Sequence, residues 1–160
     1  MKSAGTNELK AALHNLSQKE LMQICLRMSK YKKENKELLS YLLYDAEDEQ
    51  QYIENIKAEI DEYFDALVIL TFSNLLKKLR KIVRIAGKYI KFSGSKYVEV
   101  AVLIYICHQL KPFTAKNSST ALLNLYSRQI IKIDKALLKL DEDLQYDFKT
   151  DIETIQLQQQ

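Results

Sequence analysis

One proline, Pro112, and three glycines, Gly5, Gly87 and Gly94, are all the backbone punctuation in this chain of 160 residues. Sheets and hairpins need turn residues at every reversal, because few residue types tolerate the backbone of a tight turn. Long helices need almost none. Apolar residues recur at steps of three and four from end to end, the period at which side chains share one face of an α-helix. The expected fold is therefore all-α: a single compact bundle of six to seven helices over residues 1–150, with a frayed tail over 151–160. An irregular short helical solenoid is the alternative, although no marker residue recurs at a fixed period.

The helices can be placed from their caps and stripes. Leu9, Leu13 and Leu16 mark a short first helix. Ser17 and Glu20 have the spacing of a capping box, in which each side chain satisfies a free backbone N–H of the first turn. The helix opened there would bury Leu21, Cys25 and Met28. Leu38, Leu39, Leu42 and Leu43 form a third stripe. Acids from Asp45 to Glu49 suit the positive end of a fourth helix, about 49–70, with Ile53, Ile56, Ile60, Phe64 and Leu67 inward. Thr71 and Ser73 are candidate caps for a fifth, about 74–92, burying Leu75, Leu79, Ile82, Val83, Ala86 and Ile90. Ser93-Gly94-Ser95 breaks the chain, and Ser95 can cap a sixth helix, about 96–110. That helix is apolar nearly all round, which predicts a central position, and Pro112 should end it. Ser118-Ser119-Thr120 should open a last helix whose stripe runs from Leu122 through Tyr126, Ile133 and Leu144 to Phe148.

Charge is distributed in blocks although its total is only +3. Residues 45–66 carry nine acids against Lys57, whereas residues 67–120 carry ten cations against Glu99. Lys77, Lys81, Arg84, Lys88 and Lys91 fall at steps of four, three, four and three, so they line one stripe of the fifth helix, with Lys96 just beyond. A short connection makes the fourth and fifth helices antiparallel neighbours. The favoured expectation is that Asp61 and Asp65 lie near Lys77, Lys78 and Lys81 and that much of the field is quenched locally. The alternative is that Lys77, Lys81, Arg84, Lys88, Lys91 and Lys96 form an open surface for nucleic acid or another anion, with Tyr89, Phe92 and Tyr97 close enough to stack on bases.

Motifs for catalysis are missing from the sequence. Cys107 and His108 are adjacent, so on a helix they point about 100° apart and do not form a dyad. Cys25 and Cys107 each sit in an apolar stripe and read as small buried hydrophobes. No Cys-x-x-Cys, Glu-x-x-His or calcium-loop pattern occurs, so no metal or other cofactor is expected. Ser93-Gly94-Ser95-Lys96 lacks the spacing of a nucleotide-binding loop and reads as a turn with a cap. Tyr41, Tyr44, Tyr52, Tyr63, Tyr105 and Tyr126 read as core-edge residues with hydroxyls reaching out.

Two cysteines far apart do not make a disulfide framework. The N-terminal stretch is too polar for a signal peptide, and the longest apolar run, 100–107, is too short for a membrane span. A cytoplasmic protein with no membrane partner is expected. The segment ELMQICLRMSKYKKENKELLSYLL, with Lys30, Lys32, Lys33 and Lys36 at its junction, is similar in outline to the helix-turn-helix modules of small DNA-binding domains. The likeness covers under a quarter of the chain and includes no diagnostic residue, so no family is assigned. The chain reads as a non-enzymatic helical interaction or scaffold protein with a protein partner. Nucleic-acid binding through the fifth helix is the alternative, and the apolar length of the last helix would also allow a homodimer.

Overall fold

The computed structural model describes residues 3–67, 71–116 and 119–156. Its regular structure among them is helical throughout: α1 Thr6–His14, α2 Gln18–Tyr31, α3 Lys33–Ser40, a π-helical turn Tyr41–Asp45, α4 Glu49–Asp65, α5 Phe72–Ser93, α6 Lys96–Lys116, α7 Thr120–Leu137, α8 Glu142–Asp147 and α9 Lys149–Ile155. The all-α fold is as expected, with more helices than six or seven among the described residues. The helix expected over 49–70 has its last residues, 68–70, outside the described residues, as does Ser118.

Helix starts follow local polar chemistry. Glu20 Oε2 accepts from the Ser17 backbone N–H at 2.8 Å, and the Glu20 N–H reaches back to Ser17 Oγ at 3.3 Å. The Ser17 hydroxyl also donates to Glu20 Oε2, at 2.6 Å, and this bond together with that from the Ser17 N–H holds the Glu20 carboxyl below its usual range. Asp48 caps α4 by accepting from the Gln51 N–H at 2.9 Å, and Ser95 and Ser119 cap α6 and α7. Gly94 closes α5 with φ 66°, a left-handed backbone in which a Cβ is strained.

The chain divides into two compact units, Met1–Tyr44 and Asp45–Gln160. In the second unit α6 is central. Val98, Val100, Val102, Ile106, Cys107 and Leu110 on it are fully buried or nearly so. It packs against α4, α5, α7 and α9. Leu79, Ile82 and Ala86 of α5, Ile53, Ile56 and Ile60 of α4, and Leu122, Tyr126 and Ile133 of α7 complete this core. Pro112 does not end α6, which runs on to Lys116. An internal proline costs about 3 kcal/mol of helix propensity. Burial of Leu110 and Thr114 and the packing of Phe113 on Phe64, ring centroids 6.1 Å apart, offset that cost.

The continuous last helix expected through Phe148 is instead three helices. α7 ends at Leu137 and leaves Leu138 exposed, while α8 and α9 turn back so that Phe148 and Ile155 are buried. The buried Tyr126 hydroxyl donates to the Ile155 carbonyl. Residues 151–155, expected to fray, are therefore helical and anchored; residues 157–160 of that expected tail lie outside the described residues.

In the first unit, α2 and α3 meet at a corner made by a single extended residue, Lys32, and clipped by the Asn35 side-chain amide, which donates to the Met28 carbonyl at 2.9 Å. None of α1, α2 and α3 contains a buried residue. The expectation that Leu21, Cys25 and Met28 form a core fails there, because amphipathic spacing places them on a common face without supplying a surface to cover it.

Candidate functional site

The antiparallel pairing of α4 and α5 is present, but tyrosines hold it together. Tyr52, early in α4, donates to the Tyr89 carbonyl, late in α5, at 3.1 Å. The Tyr89 hydroxyl donates to Glu59 Oε1 at 2.8 Å. Tyr63, late in α4, has Lys81 over its ring at 6.0 Å. The expected approach of Asp61 to the lysines of α5 is replaced by another partnership. Asp61 lies on the flank of α4 that faces α6, where it accepts from the Tyr105 hydroxyl and, at 2.9 Å, from the Gln109 amide. Glu54 pairs with Lys57 inside α4 at 2.8 Å.

Every named cation of the basic run can be placed. Lys77, Lys78, Arg80, Lys81, Arg84 and Lys91 are exposed; all but Lys78, which flanks the buried stripe one turn from Ile82, are on the side of α5 away from Leu79, Ile82 and Ala86. Lys88 is half-buried and stands 4.5 Å from the Tyr89 ring centroid. Lys96 departs from the stripe: it begins α6 and forms an ion pair with Glu99. The structure thus brings five of the six expected anion-binding side chains onto one helix and leaves Lys96 apart.

A few ionisable groups outside α5 meet in one place. A depression of about 270 Å³ between α4, α6 and the start of α9 is lined by Lys57, Tyr105, His108 and Asp151, among others. His108 Nε2 lies 3.4 Å from Thr154 Oγ1. Burial and the Asp61 bond push the Tyr105 hydroxyl up to about 12, so it stays a proton donor at neutral pH. The lining contains no serine, threonine or cysteine to serve as a nucleophile. Among the described residues no three His, Cys, Asp or Glu side chains are grouped to hold a metal ion. No helix there is long and apolar enough to cross a membrane.

Family models, curated proteins and solved structures all return no match for this chain.

The feature that spacing could not reveal is the openness of the first unit. Among the described residues, eleven of the fifteen exposed large apolar side chains belong to residues 9–44. Met22, Leu26 and Met28 of α2 are 57%, 49% and 58% exposed, and Tyr31 reaches 79%. Scattered apolar exposure is ordinary, so it is the concentration within one unit that stands out. Cys25, expected to be buried, is exposed among them, whereas Cys107 is buried in α6. Tyr44, expected at a core edge, is 82% exposed.

Proposed function

We propose that this chain is a non-enzymatic helical interaction protein whose first unit docks a protein partner. The observation that carries this reading is that α1, α2 and α3 contain no buried residue while exposing Ile24, Met28, Tyr31 and Leu38. A helical unit this small is near the size, about 40 residues, below which a core rarely sustains a fold unaided. Covering a Leu or Met side chain contributes about 1.5–3 kcal/mol, so a partner spanning three or four of them supplies what the unit lacks. The second unit has a closed core of its own. The test is cross-linking in cells followed by recovery of the full chain. A stoichiometric protein partner should be recovered with the native chain and lost with Ile24→Asp plus Met28→Asp, the denaturation midpoint of the second unit being unchanged. A partner retained by that variant, or none with the native chain, overturns the reading.

A second reading is supported by the basic stripe of α5, exposed at Lys77, Lys81, Arg84 and Lys91 and half-buried at Lys88. From Lys77 to Lys91 it spans about 21 Å of helix at 1.5 Å per residue, long enough to meet several phosphates of a nucleic acid. Neutralising phosphates releases counterions, so affinity should fall steeply with salt. Arg84→Glu with Lys88→Glu should abolish binding in a fluorescence-anisotropy titration. Salt-insensitive binding, or binding untouched by that change, removes this reading.

A further inference from the structure

We infer that the partner of the first unit is an acidic amphipathic helix, seated on the α2–α3 face with its carboxylates against Arg27 and Lys30. This rests on the protein-docking reading above and specifies its chemistry. A cavity of about 600 Å³ on α2 is lined by Ile24, Arg27, Met28, Lys30, Tyr31 and Asn35. Its charged groups are both cations. A second cavity, of about 190 Å³, lies between α2 and α3, where Cys25, Met28, Leu38, Leu39 and Leu42 give it an apolar lining. Met28 borders both cavities, so the two form one surface with an apolar floor at one end and positive charge at the other.

The shape and the residue types select the occupant. An apolar slot beside a larger, mostly apolar hollow with cations on its rim suits an α-helix, which presents apolar anchors at i, i+4 and i+7 along one face. Methionine favours such seats because its flexible, polarisable side chain repacks around different anchors. Met28, 58% exposed, is such a residue and borders both cavities. The sign of the partner follows from the rim. Residues 1–44 carry eight Lys and Arg against four Asp and Glu. Lys32, Lys33 and Lys36 stand at the same corner as Arg27 and Lys30, and outnumber its acids, Glu34 and Glu37, the latter 3.8 Å from Lys33. A second copy of this surface would set cation against cation, whereas an acidic helix meets a complementary potential.

The experiment is selection from a displayed library of helical peptides of about 18 residues, five turns, whose surface charge ranges from strongly acidic to strongly basic. The full-length protein is the target. Enrichment of acidic sequences with apolar residues at i, i+4 and i+7 is expected. The best acidic peptide should bind about tenfold or more tighter than its Glu-to-Lys counterpart, and Arg27→Glu with Lys30→Glu should reverse that preference. Circular dichroism and the denaturation midpoint establish that each variant remains folded. Binders without charge bias, lost in Met28→Asp but indifferent to charge reversal at Arg27 and Lys30, overturn the acidic chemistry and leave the docking reading standing. No binders, or binders indifferent to Met28→Asp, overturn both. Dimerisation of the native chain in sedimentation, abolished by Met28→Asp, overturns the proposal in favour of a second copy.

Discussion

Cys25 and Cys107 are one residue type in two environments. Thiolate reactivity needs access and an ionisable thiol. Cys25 is exposed on α2, while burial pushes the Cys107 thiol up to about 12. An aromatic disulfide reagent should therefore release one equivalent promptly from the native protein and a second only on unfolding. Cys25→Ser should remove the prompt equivalent alone. Tyr105 makes a related prediction through its ionisation. In the unfolded chain its hydroxyl ionises near the ordinary value of 10, but in the fold it holds its proton up to about 12. The unfolded state therefore loses that proton first, and the associated stability is present below pH 10 and disappears as pH rises towards 12. Tyr105→Phe should flatten this part of the alkaline stability profile, measured by denaturant titration at successive pH values. A profile as steep as that of the native chain would show that Tyr105 is not its source.

Helix boundaries depend on individual positions in opposite ways. Gly94 ends α5 with a positive φ and an N–H bonded to the Ile90 carbonyl at 3.1 Å. An added Cβ would meet no neighbour there, so Gly94→Ala is opposed by the backbone alone and should cost about 1 kcal/mol. Gly87 lies inside the same helix with open space where a Cβ would sit. Gly87→Ala should therefore stabilise the protein by about 0.5–1 kcal/mol, since glycine loses the most backbone entropy in a helix. Urea denaturation of the two variants should move the midpoint in opposite directions. The ends of α6 show how far local signals reach. Ser95 and Gly94 specify its start through their own backbone requirements, so that start is readable in order. Pro112 signals an end that does not occur, because packing of Phe113 and Leu110 outweighs a local penalty.

The two units differ in what protects their backbone. α6 is covered by four other helices, whereas α1, α2 and α3 have no buried residue. Native-state hydrogen exchange should rank them accordingly: slowest in α6, fastest in α1–α3, because amides under few buried contacts open with little free energy. Equal protection in both would contradict the openness of the first unit. A bound partner should slow exchange in α2 and α3 and leave α6 unchanged. Much of this architecture is legible in the chain order. Sparse glycine and proline, capping side chains and a three-four apolar rhythm specify helices through contacts a few residues apart, so helical class, most helix starts and the centrality of α6 can be read without coordinates. The partners of charged groups cannot. Asp61 has the same sequence neighbours whether it meets lysines of α5 or Tyr105 and Gln109 of α6, and the choice depends on which flank of α4 each helix covers. The open face of the first unit is hidden for the same reason: an apolar stripe has identical spacing whether another helix lies on it or not, and coverage is a property of residues distant along the chain.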